Sequence, residues 1–300
     1  MVNFRDPAVI QQDEWAVVKL WHALAGLYFW EFLNTLDYEW SIIKGHRPYR
    51  WSIWIYSLTR VAALISVILS LIGVDDSTQY NCQIQNKFQF IFGYLTFATA
   101  SLLILLRIIA IWNEKKIVIA IATTVWAVNL SFFIRGIVRV NNQLYGYNTS
   151  GSYHLLNPQI HSVWVPAGTT CEVTNIQSTK PNIILALATD LVLVGIMLVG
   201  LLRLGYHERG AFGIGHLLWK QGLIWLLIAT VAEVPPAVFI ILNLNEPFNE
   251  MFQIPAMIAL SIAATRIHRS LTDFAARSTE MYENGPHAFS SSALTGRSPP

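Results

Sequence analysis

The sequence predicts an all-α integral membrane protein, a bundle of about seven transmembrane helices with its N-terminus outside and its C-terminus in the cytoplasm. Three observations lead there. Apolar types make up 54% of the 300 residues and charged types only 13%, where a soluble domain carries about 25% charge. The apolar residues gather into stretches near the ~20 residues that a helix needs to cross ~30 Å of hydrocarbon. Lys and Arg are dense in every second connection. Lipid offers no partner for an exposed backbone N–H or C=O, so stretches of this length read as helices. The eleven Trp and eleven Tyr fit a membrane interface, which favours rings with one apolar and one wet end.

Residues 1–14 form a polar outer segment holding Arg5, Asp6, Asp13 and Glu14. This is unlike the basic start of a cleaved leader, so the first span is expected to be retained. The transmembrane domain is read as 15–266, with spans at 15–36, 51–73, 88–112, 117–138, 182–204, 219–242 and 248–266. The first carries Lys19, His22 and Glu31, and the last has an unbroken apolar core only from Ile254 to Ala264. For these two, a helical hairpin or an interfacial helix is the alternative. The long outer loop 139–181 exceeds a simple connector, and loops of that length are functional or disordered. Its aromatics, Tyr145, Tyr147, Tyr153 and Trp164, suit a lid over the bundle or a layer on the headgroups. The tail 267–300 is cytoplasmic and, being polar and then Ser/Pro-rich beyond Phe274, is expected to be partly disordered.

Orientation follows from the basic residues. Lys44, Arg47 and Arg50, then Arg107, Lys115 and Lys116, then Arg203, Arg209 and Lys220, then Arg266, Arg269, Arg277 and Arg297 fall on one side. Arg5, Lys19, Lys87, Arg135, Arg139 and Lys180 fall on the other, and Arg60 sits inside the second span. The richer side is cytoplasmic. A net charge of +2 offers no surface for nucleic acid. Asn148-Thr149-Ser150 is a glycosylation acceptor in the outer loop, whereas Asn129-Leu130-Ser131 lies mid-span and out of reach. The two cysteines, Cys82 and Cys171, both fall in outer segments, where a disulfide between them suits the oxidising side; two unpaired thiols are the alternative.

Ionisable residues inside spans cost about 2.5–3.5 kcal/mol each on insertion scales. Glu31 on span one and Arg60 on span two run toward a common depth, because side chains lean toward the N-termini of two oppositely directed helices. They are expected to pair as a clamp between the two spans, with a role in transport or signalling as the alternative. Asp190 lies in span five, Glu233 near the middle of span six and Arg135 near the outer end of span four. If Asp190 takes Arg135, Glu233 is left to be protonated, to bond a neighbouring helix, or to meet a cation or ligand in a cavity. Glu233 directly precedes Val234-Pro235-Pro236, where the prolines remove backbone donors and bend the helix. A gate or pocket and a passive bent helix both fit. Ala62, Ala63 and Ser66, and Gly195 with Gly200, suit close helix packing.

No catalytic residue is proposed, since there is no Gly-x-Ser-x-Gly, no Gly-rich phosphate loop with Lys and no His-Glu-x-x-His. The eight His are scattered, no metal or cofactor is implied, and span seven lacks the lysine that a retinal Schiff base would need. Three segments carry a resemblance. They are 31–40 with Arg47-Pro48-Tyr49-Arg50-Trp51-Ser52 and Tyr56-Ser57-Leu58-Thr59-Arg60, then Arg107-Ile108-Ile109-Ala110-Ile111-Trp112-Asn113, then 245–253 with 264–271. Together they resemble a large family of fungal, mainly basidiomycete, multi-pass membrane proteins catalogued as a domain of unknown function. The resemblance implies an architecture and a fungal source, and transfers no activity or site residue.

The functional reading is a non-enzymatic, receptor-like seven-helix protein of the plasma membrane or another secretory-pathway membrane. Beyond the lipid bilayer, its partners would be a small ligand or a cytoplasmic protein. The topology and the kinked sixth span resemble G-protein-coupled receptors, although Leu106-Arg107-Ile108 is no acidic-Arg-Tyr triplet and Ile254-Pro255-Ala256-Met257 is no Asn-Pro-x-x-Tyr. A small-molecule or ion transporter is the alternative, with buried charges in favour and no visible inverted repeat against. A membrane scaffold is the third.

Overall fold

The computed structural model describes residues 7–45, 51–75, 81–112, 115–141, 161–165, 170–174, 176–207 and 214–284. Seven long helices dominate: α1 (Pro7–Asn34), α3 (Ser52–Asp75), α4 (Cys82–Ile111), α5 (Lys116–Asn141), α6 (Lys180–His207), α7 (Ile214–Leu242) and α9 (Gln253–Asn284). Two short ones, α2 (Leu36–Ile43) and α8 (Glu246–Met251), lie at the ends of α1 and α7. Each apolar stretch read from the sequence falls largely on one of the long helices. Four of them, α3, α4, α5 and α6, are long and apolar enough to cross a membrane, and α7 holds a shorter apolar stretch, Leu227–Leu242.

The ends are set by local chemistry. Asn81 opens α4, its Oδ1 accepting from the Ile84 N–H at 3.2 Å, one of the orphan donors of a first turn. α7 stops where Asn243 adopts φ 49° and its N–H bonds back to the Phe239 carbonyl at 2.9 Å; asparagine tolerates this left-handed geometry better than most residues. Asn245 then caps α8, accepting from the Phe248 N–H at 2.9 Å, and Pro247 sits in the first turn, where a missing N–H costs nothing.

α4 is the axis of the bundle. It packs on α3, α5, α6 and α9, while α1 leans on α3 and α9, and α7 closes between α6 and α9. Of its apolar window 56% is buried in the bundle, against 17% for α5, so α5 is peripheral. The outer faces stay apolar: Ile117 on α5 is 77% exposed and Val231 on α7 is 60% exposed, with Ile121, Ile134, Leu227 and Val238 exposed beside them. Contiguous apolar surface on that scale is foreign to a protein in water and suits lipid. Ala62, Ala63 and Ser66 are fully buried, as their packing role requires. The two glycines differ. A Cβ on Gly195 would meet nothing within 4 Å, whereas one on Gly200 would stand 2.5 Å from Trp112 Nε1 and 2.7 Å from Ile111 Cγ2. Gly200 therefore lets α6 approach the end of α4, where Trp112 Nε1 donates to the Ile196 carbonyl at 3.2 Å. Gly200→Ala should cost about 1–3 kcal/mol by overpacking, and Gly195→Ala should not destabilise. Thermal denaturation of the two purified variants checks this.

Three features go beyond the sequence reading. Part of the long 139–181 loop is regular: β1 (His161–Val165) and β2 (Thr170–Thr174) form an antiparallel hairpin with Trp164 opposite Cys171, lying against α4 and α3. The Val-Trp-Val and Val-Thr runs favour strands, but two short strands inside a polar loop are a weak pattern. The tail is helical further than expected, since α9 continues to Asn284. The polar start is also partly helical, because α1 begins at Pro7, a residue preset for a first turn.

Cys82, buried at the start of α4, is disulfide-bonded, and the chain has one other cysteine, Cys171. We expect the bridge to tie the hairpin to α4. Cys82→Ser should then lower stability by about 2–5 kcal/mol, and both thiols should resist alkylation in unreduced, denatured protein. Full labelling of both would refute the bridge. Asn148 lies outside the described residues.

Candidate functional site

The buried charges form two groups, neither paired as the sequence suggests. Glu31 does not meet Arg60. Its carboxylate accepts from Arg266 through Nε at 2.9 Å and through Nη2, and from Arg269 Nη2 at 2.8 Å. Arg60 donates instead to Glu39 Oε1 at 2.7 Å, to the Tyr56 hydroxyl at 3.1 Å and to the Phe32 carbonyl at 2.7 Å. Two features of the chain explain the exchange. α1 breaks at Thr35, and α2 carries Glu39 back beside Arg60, so that the cation also caps the carbonyl end of α1, where a helix dipole favours it. α9 returns beside α1 and presents Arg266 and Arg269, three residues apart and thus on one face, to Glu31. Reasoning from spans one and two alone could not include α9.

The second group lies between α4, α6 and α7. Asp190 is 2% exposed and Glu233 4%. Ser101 Oγ donates to Asp190 Oδ1 at 2.7 Å, and the Asp190 and Glu233 side chains meet carboxyl to carboxyl. Asp190 does not take Arg135, which is exposed on α5. Gly136, next to that arginine, stands against the Asn182 amide on α6, and Asp190 is eight residues deeper, roughly 12 Å at 1.5 Å per residue. Among the described residues neither carboxyl has a basic partner, and Asp190 Oδ2 and both Glu233 oxygens lack a donor. Two carboxylates in contact have only acceptors to offer each other. A single proton between them supplies the donor, or a cation replaces it.

Pro235 and Pro236 stand inside α7 just past Glu233. Neither has an N–H to give to the carbonyls one turn back, those of Val231 and Ala232, so the helix is unlatched on either side of the acid. A small cavity of about 50 Å³ borders it, lined by Glu233, Pro236, Asn182, Tyr94 and Gln253 among others. It holds a few waters or one ion, since a water needs about 10–15 Å³ by this measure. Tyr94 accepts from Asn182 Nδ2 at 3.2 Å and stacks on Phe133 at 5.0 Å, which fixes that wall.

A second cavity, of about 110 Å³, opens nearer the C-terminal end of α3 and the N-terminal end of α4 and is lined by Gln85, Gln89, Ser70, Trp21, Glu250 and again Gln253. Gln89 Nε2 donates to Ser66 Oγ at 3.1 Å and Ser70 Oγ at 2.7 Å, and Gln85 Nε2 to the Leu69 carbonyl at 2.9 Å. Their Oε1 atoms are buried without a donor, so the cavity presents acceptors. Gln253, whose Nε2 donates to the Asn249 carbonyl at 3.1 Å, is the wall shared by both spaces. Sequence reasoning missed these amides. The available signal was Gln85 and Gln89, four residues apart on one face at the start of a span, where uncharged polar groups attract less notice than charges.

Among the described residues no group of three or more His, Cys, Asp or Glu gathers at one point. No protein-family model matches the chain, and no curated protein or solved structure does.

Proposed function

We propose that this is a receptor-like, non-catalytic seven-span membrane protein in which a proton or a small cation at Asp190 and Glu233 sets the position of α7, the helix that carries Pro235 and Pro236. The observation that carries the reading is the contact of two fully buried carboxyls, without a basic partner among the described residues, directly beside two prolines. A helix contact that depends on one proton or cation, next to an unlatched backbone, gains or loses its bond as that proton or cation comes and goes, which is what a switch needs. In this reading α1 and α9 cross the bilayer together with α7 and the four strongly apolar helices. The N-terminus is outside and the basic loops are in the cytoplasm of a plasma membrane or another secretory-pathway membrane. Support comes from the placement of Lys and Arg, from the exposed apolar faces and from Cys82 at the outer end of α4. The fungal multi-pass resemblance, carried by 31–40 and 245–253, supports the same architecture.

One observation favours a second reading. Gln253 stands between a polar cavity and the cavity beside Glu233, so that its movement would open the route that transport of a proton or cation requires.

Proteoliposomes containing the full chain and an internal pH- or sodium-sensitive dye separate the two. The receptor-like reading predicts no flux beyond that of empty vesicles, with sodium or pH shifting the fluorescence of a probe on the cytoplasmic end of α7. Dissipation of an imposed gradient, lost in Glu233→Gln, would replace it with the transport reading. Tags at both termini, tested by protease protection in sealed membranes, should differ in accessibility; equal accessibility would refute an odd number of spans.

A further inference from the structure

We propose that the open cavity of about 380 Å³ between the end of α1 and α9 is a binding site for a phosphate group. The donor count at this cavity is unbalanced. Arg266 and Arg269 face one carboxylate, Glu31, whose two oxygens already accept three N–H groups. Among the described residues that leaves one positive charge in excess and several N–H groups over. Arg269 is largely buried, with 18% of its side chain exposed, and its Nε has no acceptor among the described residues. A phosphate beside the cluster lowers the cost of holding two guanidinium charges against one carboxylate.

The guanidinium groups are also held in place before any ligand arrives. The Arg266 guanidinium lies over the Trp225 ring at 4.4 Å and is gripped by Glu31, so its planar fork is oriented with little entropy left to lose. Asn34, Thr35 and Ser270 line the same space; the Thr35 and Ser270 hydroxyls already donate to backbone carbonyls, which leaves the Asn34 amide as the neutral donor. Trp30 stands on the rim, 67% exposed, as an indole does at the headgroup level of a bilayer. The volume is that of a small-ligand pocket, roughly 300–1,000 Å³. The arginine N–H groups left over by Glu31, beside an amide donor, suit the several acceptor oxygens of a phosphate better than chloride or a lone carboxylate. The group could be the headgroup of a phosphomonoester lipid or a free phosphate; the seven-span reading bears only on which leaflet would present the lipid.

The test uses the purified full chain and two probes, a phosphatidic acid in phosphatidylcholine nanodiscs and inorganic phosphate in pure phosphatidylcholine nanodiscs. Thermal shift and native mass spectrometry report binding. Stabilisation by phosphatidic acid alone assigns a lipid, and stabilisation by inorganic phosphate as well assigns the free anion. Arg269→Lys keeps the charge that Glu31 needs but loses the fork, and should bind about tenfold more weakly while folding normally. Glu31→Gln, with two arginine charges then uncompensated, should bind about tenfold more tightly even where its thermal stability falls. A purely structural ion cluster would move only stability in these variants. Absence of a shift with both probes, or equal affinity in wild type, Arg269→Lys and Glu31→Gln, would overturn the proposal.

Discussion

Glu39→Leu is expected to destabilise the protein by about 3–5 kcal/mol, because it leaves the Arg60 guanidinium buried and without its counter-charge. The arginine side chain is 5% exposed and that of Glu39 is 24%, so water can rescue the acid more readily than the base. The remaining acceptors, the Tyr56 hydroxyl and the Phe32 carbonyl, and the Phe32 ring 4.4 Å from the guanidinium, hold the loss toward the lower end of that range. Adding Arg60→Met removes the stranded charge and should recover most of the stability, as it does when both partners of a buried pair give way to apolar groups. Chemical denaturation of the two single variants and the double variant in detergent checks this cycle. Additive losses would show that Arg60 and Glu39 act independently.

Glu233→Gln is expected to fold with stability within about 1.5 kcal/mol of wild type, the scale of one net hydrogen bond, and to lose any response to sodium or pH. Its amide N–H₂ can donate to Asp190 permanently, doing with a fixed bond what the proton or cation does reversibly. Asp190→Ala removes the same response by a different route. It leaves the Ser101 hydroxyl without its acceptor and a cavity in place of the carboxyl, so a stability loss of about 1–3 kcal/mol accompanies it. Thermal denaturation across sodium concentration and pH distinguishes the two. A sodium- or pH-dependent melting temperature that persists unchanged in Glu233→Gln would place the switch elsewhere.

The helices were legible because their cause is local. Twenty apolar residues in a row leave the backbone few alternatives, and the seven stretches fall on α1, α3, α4, α5, α6, α7 and α9. The burial of Asp190 and Glu233 was legible too, since an ionisable residue amid Leu, Val and Ile is conspicuous. Partners were not legible. Glu31 chose Arg266 and Arg269 over Arg60, and Asp190 chose Ser101 and Glu233 over Arg135, because pairing depends on which helices return side by side and on which turn they face each other. Gln253 illustrates the same limit: nothing in Phe252-Gln253-Ile254 marks it as the wall between two cavities. Cys82 needed no geometry, as a chain with two cysteines leaves few choices.

The claim that one proton or cation is held between Asp190 and Glu233 is tested most directly by infrared spectroscopy of the full chain in nanodiscs, reading the carbonyl stretch of protonated carboxylic acid. The account predicts such a band at neutral pH in sodium-free buffer, its loss in Glu233→Gln, its persistence at a shifted frequency in Asp190→Ala, where the remaining buried acid keeps a proton of its own, and, where a cation takes the site, its decline as sodium is added to wild type. A wild-type spectrum without that band and without sodium dependence, or one that both variants leave unchanged, would contradict it.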